Sequence, residues 1–264
     1  MPTTATNALQ LMNNPRTSMK DLGNVIGSDQ AITSKLLRMV NSAYYGFPRR
    51  ISTISQALVV IGVEGLRSLI MGLSVQKMFK SETGQQLWAH SITTAAAARI
   101  ITQKFGNVHP EESFVVGLIH DIGRLILYQY FPEEFIYFKL IDKDDIKTLP
   151  EEREYFGMDH GEIGSKIATT WNLPQKIVES IRYHHKPNMV PQNQVVLIVC
   201  IAESIARYIK DTDNTSATGA PAPVLSEYTN PTYLEKLRIK DIPEQMIQDI
   251  IDKTNDLLEV FGAK

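Results

Sequence analysis

Apolar residues recur at three- and four-residue steps along most of this chain. Ile32, Leu36 and Val40 follow that spacing in the first third, and Ile177 and Ile181 follow it later. Such spacing places the side chains on one face of a helix, whereas a half-buried strand would alternate apolar and polar residues. No strand-like alternation stands out, so the pattern predicts an all-α protein.

The same pattern divides the chain into successive regions. Residues 9–80 read as short helices separated by turn signals, and residues 81–210 read as longer helices. Residues 211–230 are rich in Thr, Ser, Ala, Pro and Gly, a composition that favours a mobile loop or linker. Residues 231–264 return to helical spacing, and we expect these C-terminal helices to pack on the body of the protein.

One apolar run, residues 114–130, contains a histidine and an aspartate side by side, His120 and Asp121. Its length favours a single helix. Charged side chains are seldom fully buried without a partner, so Asp121 requires a cation, a ring N–H or water. A hydrogen-bonded Asp–His pair in the core explains this motif when it is taken alone, and a shared divalent metal is the alternative.

Other candidate ligands are spread over the second and third quarters of the chain. Taken singly, each has a structural explanation. His90 could be a core histidine, and His160 could simply lie beside a helix cap. His184 and His185 could interact with the C-terminal end of a helix dipole, and Glu203 could be a buried acid with a partner. Together they favour one metal site. The full candidate set is His90, His120, Asp121, His160, His184, His185 and Glu203.

Composition narrows the function classes. The 264 residues include 43% hydrophobic residues and carry a net charge of −2, so no overall basic field attracts nucleic acid or anionic lipid. The two helices predicted in residues 19–40 could suggest DNA binding, but acidic residues accompany Lys35 and Arg38 and favour a solvated face. Cys200 is the single cysteine, which fits a reducing compartment. We found neither a signal peptide nor an apolar stretch of about 18 residues, so we expect a cytoplasmic protein without a membrane segment.

A long motif in the first third resembles a known family. Residues 29–45, DQAITSKLLRMVNSAYY, and the continuation in 51–58 and 61–67 are similar to the hallmark stretch of HDOD domains. The resemblance runs from about Leu9 to Tyr208, so we assign residues 9–210 to an HDOD domain. It implies an all-α, HD-superfamily-like domain with an N-terminal helical subdomain, often found in bacterial signalling proteins. Many such domains are thought to be regulatory or interaction modules.

The HD superfamily also implies how the candidate ligands are shared. The resemblance assigns His90, His120, Asp121 and Glu203 to a first metal position. It assigns His160, His184 and His185 to a second position, with Asp121 bridging the two. One or two divalent ions of Fe, Mn or Zn are therefore expected, and in an enzyme Asp121 and Arg124 would be the catalytic residues. Arg124 would then meet a phosphoryl oxygen, and the alternative is an arginine that is solvated or paired with a carboxylate.

The chain departs from active HD-GYP phosphodiesterases at several positions. Glu203 stands where Asp is usual, Arg124 where Lys is common and Gln86 where some members have Glu, and no Gly-Tyr-Pro loop follows the His-Asp pair. We therefore predict a regulatory HDOD module that retains a metal site and responds to a signalling protein partner or a small phosphorylated ligand. The alternative is a metal-dependent phosphohydrolase or phosphodiesterase acting on a nucleotide or a cyclic dinucleotide.

Overall fold

A computed structural model describes residues 3–138, 145–218 and 221–261. Those residues form α-helices joined by loops and two short 3₁₀ turns, and they contain no strand, which confirms the all-α prediction. The helices are α1 (Thr3–Met12), α2 (Met19–Gly27), α3 (Gln30–Val40), α4 (Ile54–Gln76), α5 (Glu82–Phe105), α6 (Pro110–Ile119), α7 (Ile122–Tyr130), α8 (Pro132–Tyr137), α9 (Asp145–Phe156), α10 (His160–Thr170), α11 (Gln175–Tyr183), α12 (Gln194–Thr218), α13 (Pro231–Lys236) and α14 (Glu244–Phe261).

Helix α5 lies in the middle of the fold and packs against α6, α12 and α14. Its alanine run, Ala95 to Ala98, is buried and presents a surface of small side chains. Gly117 on α6 faces this run, because a Cβ at Gly117 would lie 2.8 Å from the Cα of Ala95. These small residues let the α5 and α6 backbones approach closely enough to hold the neighbouring junction of α6 and α7 in place.

The hallmark stretch connects α3 to α4 and to the second part of the fold. The Asn41 side chain donates to the carbonyl oxygen of Ile51 and accepts from its N–H, both at 2.7 Å. Tyr44 lies against Phe114 with ring centroids 5.8 Å apart. The guanidinium of Arg99 lies over the Tyr44 ring at 4.7 Å. Through Tyr44, the hallmark stretch packs the N-terminal helices against α5 and α6.

The single helix predicted for residues 114–130 is wrong. Helix α6 ends at Ile119, α7 begins at Ile122, and His120 and Asp121 form the junction. Asp121 has φ −96° and ψ 16°, outside the helical region. The apolar periodicity continues across the break because both helices are buried, so the pattern could not reveal it.

The loop predicted for residues 211–230 is also wrong in its first part, since α12 continues to Thr218. No glycine or proline occurs in residues 211–218, and the Thr212 hydroxyl donates to the carbonyl oxygen of Tyr208, one turn earlier. Residues 219–220 lie outside the described residues, and a 3₁₀ turn covers Leu225–Glu227. The C-terminal helix α14 packs against α5, α3 and α12, whereas residues 262–264 lie outside the description.

The expectation that no stretch is long and apolar enough to cross a membrane needs correction. By length and composition α4 qualifies, with a mean hydropathy of 1.8 in its best window. However, 67% of that window is buried inside the protein, and Gly62 interrupts the helix with φ 70°. Helix α4 therefore has the burial of a core helix.

Candidate metal centre

The candidate ligands converge on Asp121 at the junction of α6 and α7. Its Oδ1 atom lies 3.4 Å from His160 Nε2 and 3.8 Å from His184 Nε2. Its Oδ2 atom lies 3.5 Å from His120 Nε2 and 3.9 Å from His90 Nε2. One carboxylate is therefore shared between two groups of imidazoles, as a bridging ligand would be.

Helices α5, α10, α11 and α12 and the junction of α6 and α7 bring these side chains together. His90 lies on α5, and Glu203 lies on α12. His160 is the first residue of α10, where the Asp159 side chain caps the helix by accepting from the N–H of Glu162 at 2.8 Å. His184 and His185 follow the last turn of α11, in front of Pro187, which prevents the helix from continuing.

The Nδ1 atoms of three histidines have acceptors outside the centre. His120 Nδ1 lies 2.8 Å from the carbonyl oxygen of Gly117, and His184 Nδ1 lies 2.6 Å from that of Ile181. His160 Nδ1 lies 2.7 Å from the Glu152 carboxylate. Because a neutral imidazole carries one N–H, these contacts place it on Nδ1 and leave Nε2 with a lone pair directed at the centre.

The Nε2 atoms of His160 and His184 then face each other without a hydrogen between them. His160 Nε2 lies 3.2 Å from His184 Nε2 and 3.0 Å from His185 Nε2. Two imidazole lone pairs at such distances repel each other unless a cation lies between them. In addition, the buried atoms His120 Nε2 and Asp121 Oδ1 have no hydrogen-bond partner among the described residues. The donor set therefore fits a divalent metal ion.

Electrostatics keep the ligands in the form that binds metal. Burial lowers the pKa of His90 to about 3 and also lowers those of His120, His184 and His185. Burial acts against ionisation of Asp121 as well, but the neighbouring His120 and the Arg124 guanidinium outweigh it and the pKa of that carboxyl falls below its usual value. Neutral imidazoles and an ionised carboxylate are the species that coordinate a metal.

The structure divides the ligands somewhat differently from the expectation drawn from the family. Asp121, His160, His184 and His185 offer ligand atoms within 4.8 Å of one another, as assigned to the second position. His90, His120 and Asp121 form another such group. Glu203 does not join that group. It groups with His120 and His184 instead, and its Oε2 lies 3.4 Å from His185 Nδ1. That the individual residues act as ligands stays a prediction.

Arg124 contacts the centre rather than open solvent. It is 2% exposed, and its Nε lies 3.4 Å from Asp121 Oδ1. Of the two contacts expected from the sequence, a phosphoryl oxygen or a carboxylate, the structure shows the carboxylate, at the edge of a pocket. Its catalytic role therefore also stays a prediction.

Sequence reasoning missed Glu152 on α9. Glu152 is 1% exposed, and it accepts both from the backbone N–H of His160 at 2.7 Å and from the His160 ring. Burial acts to raise its pKa, but the neighbouring His160 outweighs that effect and lowers it. Leu149, Glu152 and Phe156 share one helix face by their spacing, which was the available signal, but adjacent acidic and basic residues concealed it.

This arrangement defines a class: an all-helical domain with buried histidines around an aspartate at a break between two helices. The family model for the HDOD domain matches residues 1–187. The chain therefore belongs to the HDOD domain family, which confirms the resemblance noted in its hallmark stretch.

Individual proteins are also similar to this chain in sequence or in fold. The chain is 29% identical over 195 residues to an uncharacterized protein of Treponema pallidum and 28% identical over 131 residues to the cyclic di-GMP phosphodiesterase CdgJ of Vibrio cholerae. These matches cover 72% and 49% of this chain but only 38% and 29% of those proteins. A crystal structure from Shewanella amazonensis, described as a candidate phosphohydrolase, has a TM-score of 0.74 at 20% identity, covering 100% of this chain and 93% of its own. That likeness confirms the HD-like helical fold.

Proposed function

We propose that this chain is a regulatory HDOD module of bacterial signal transduction whose centre binds a divalent metal. One observation supports this most: the Nε2 lone pairs of His160 and His184 point at each other beside the Asp121 carboxylate, with His185 Nε2 next to them. The group of three imidazoles and one carboxylate supplies four ligand atoms, enough for one ion. The group of His90, His120 and Asp121 supplies three, so a second ion would bind there more weakly.

Hydrogen bonds within the chain fix the orientation of the histidine rings around such an ion. Glu152 fixes the ring of His160, and the carbonyl oxygens of Gly117 and Ile181 fix those of His120 and His184. When bound, the metal would act as a Lewis acid and would link α7, α10 and α11 through their ligands. Imidazole and carboxylate suit Zn, Mn and Fe alike, so we infer a site for one of these metals.

The partner that fits a regulatory module is a signalling protein or a small phosphorylated ligand. The net charge of −2 does not favour nucleic acid as a partner. We expect no salt-dependent binding to random duplex DNA, and we expect the protein to act in the cytoplasm.

A metal-dependent phosphohydrolase is the second candidate function. The similarity to CdgJ over 49% of this chain favours it, as does a pocket that includes His90, Asp121 and Arg124. In that case Asp121 would be a shared metal ligand and Arg124 would contact a phosphate oxygen. The present contact between Arg124 and Asp121 favours the regulatory function.

Elemental analysis of protein purified without chelator or added metal tests the proposal. We expect about one ion per chain and a large loss of metal in Asp121→Ala and His184→Ala, but not in His109→Ala, where the histidine caps α6 outside the centre. Absence of metal from the wild-type protein, even after incubation with Mn²⁺, Fe²⁺ or Zn²⁺, would reject it.

Turnover assays on the same samples separate the two functions. Metal-loaded protein is incubated with cyclic di-GMP, mononucleotides and bis-p-nitrophenyl phosphate. The regulatory function predicts metal without turnover. Hydrolysis that His120→Ala and Asp121→Ala abolish would establish the enzyme instead.

A further inference from the structure

A pocket of about 720 Å³ lies beside the metal centre. His90, Asp121 and Arg124 line one side of it. The opposite side comes from the C-terminal part of the chain, including Tyr228 and Tyr233, which lies beyond the residues that match the family model. Its volume falls in the range of about 300–1,000 Å³ that small-molecule sites occupy. The pocket therefore joins the centre to a part of the chain that lies outside the family-model match.

The pocket gives the centre access to the outside. His120, His160 and His184 are fully buried, whereas the His90 side chain keeps 15% of its surface exposed. His90 and Asp121 are members of the three-residue ligand group that also line the pocket. A ligand in the pocket would therefore approach the centre from the side of His90.

Charge is unequal along the pocket. Arg124 lines the pocket beside His90 and Asp121, and Arg207 and Lys210 line it from α12. Acidic residues gather near Tyr228, whose hydroxyl donates to Asp211 at 2.7 Å. Asp213 and Glu227 line the pocket as well. The arginines thus favour one anionic group beside His90, whereas Asp211 and Glu227 beside Tyr228 act against a second one there.

The C-terminal wall suits a flat ring with polar edges. Tyr228 and Tyr233 offer aromatic faces, and Asn230 and Asn255 offer amide donors and acceptors. Aromatic side chains stack on nucleobases, and amides read their edges by hydrogen bonds.

We propose that the pocket binds a nucleoside monophosphate, with its phosphate near His90, Arg124 and Arg207 and its base at the wall formed by Tyr228 and Tyr233. This rests on the proposed function, because a metal at the centre would complete the phosphate end. The acidic residues near Tyr228 select against a ligand that carries a second phosphate group, as the ring of a cyclic dinucleotide does.

Isothermal titration calorimetry on the full chain tests this inference, with AMP, GMP, CMP and UMP as probes and metal content measured in each sample. We expect at least one mononucleotide to bind at least about tenfold more tightly than ribose 5-phosphate or orthophosphate, since base stacking contributes roughly that factor. Cyclic di-GMP should bind more weakly. Equal affinity for ribose 5-phosphate, preference for cyclic di-GMP, or no mononucleotide binding would each overturn the inference.

Variants at each end of the pocket localise the ligand. Tyr233→Leu should weaken mononucleotide binding about tenfold and leave orthophosphate binding unchanged. Arg207→Gln should weaken both about tenfold, as expected for loss of a charge-assisted contact. Tyr137→Leu and Arg182→Gln, at exposed positions outside the pocket, should change neither. If Tyr233→Leu fails to fold by circular dichroism, Asn255→Leu tests the same wall, and unchanged affinity there would overturn the inference.

The two proposals fail separately. Metal at the centre without mononucleotide binding would reject the pocket assignment and leave the metal-binding module intact. Mononucleotide binding by a protein that takes up no metal would support the pocket and reject the proposed function.

Discussion

Glu152 determines which nitrogen of His160 faces the metal centre. By accepting from Nδ1 it keeps the lone pair on Nε2, and such outer partners typically change metal affinity about 10–100-fold when removed. We predict that Glu152→Gln lowers metal affinity by that factor, measured by competition with a chromophoric chelator. Glu154→Gln, on the same helix but exposed, is the control. Unchanged affinity in Glu152→Gln would show that His160 does not depend on this contact.

The histidines of the centre could be recognised in the sequence by their residue type. The sequence did not show the contacts of glutamates whose role depends on where the fold places them. Histidine is rare enough that five of six falling at helix positions pointed to one site. Glutamate is common on helix surfaces, so the charged residues around Glu152 concealed its burial, and the placement of Glu203 beside His185 could not be read from spacing. Both depend on how α9 and α12 pack, which is a tertiary property.

Gly123 sets the distance between α7 and α10. A Cβ there would overlap the carbonyl oxygen of His160, so Gly123→Ala must push α10 away and displace a metal ligand. We predict a loss of about 1–3 kcal/mol in the free energy of unfolding, measured with urea, together with weaker metal binding. Gly27→Ala is the control, because nothing lies within 4 Å of its added Cβ. Equal effects of the two substitutions would contradict this account.

Asn41 joins the end of α3 to the segment that enters α4. Asn41→Ala removes two hydrogen bonds to Ile51, and each contributes about 0.5–1.5 kcal/mol. We therefore predict a loss of about 1–2 kcal/mol in the free energy of unfolding, with metal content unchanged because the centre lies elsewhere. Asn24→Ala, exposed on α2, should change stability by less than about 0.5 kcal/mol. A loss of metal in Asn41→Ala would instead indicate coupling between the hallmark stretch and the centre.

Helices were predictable as elements, but some of their ends were not. Caps such as Asp29 and Asp159 mark helix starts in the sequence, and both cap in the structure. The break at His120 and Asp121 carries no proline and lies inside an apolar run, so local propensity favoured continuation. The extension of α12 to Thr218 was missed because Thr and Ser were read as loop residues, although their hydroxyls bond to the preceding turn.

At the scale of the molecule, the centre and the hallmark stretch are attached to the same two helices. Arg99 on α5 lies over Tyr44 and pairs with Glu111 on α6 at 3.0 Å. His90 lies on α5 as well, and His120 directly follows α6. A change in the angle between α5 and α6 would therefore reach both sites, which gives a regulatory module a physical route between its two parts.

Protein stripped of metal by a chelator should lose stability as the pH falls from about 7 towards 3. In the unfolded chain His90 takes up a proton near its ordinary pKa of 6.5, whereas in the folded protein burial lowers that pKa to about 3. The unfolded state therefore binds more protons throughout this window, and each such proton costs about 1.4 kcal/mol per pH unit. Urea unfolding at pH 7.5, 6 and 5 measures the slope. His90→Gln should reduce it and His109→Ala should not, while a pH-independent unfolding free energy would contradict the buried, neutral state of the centre.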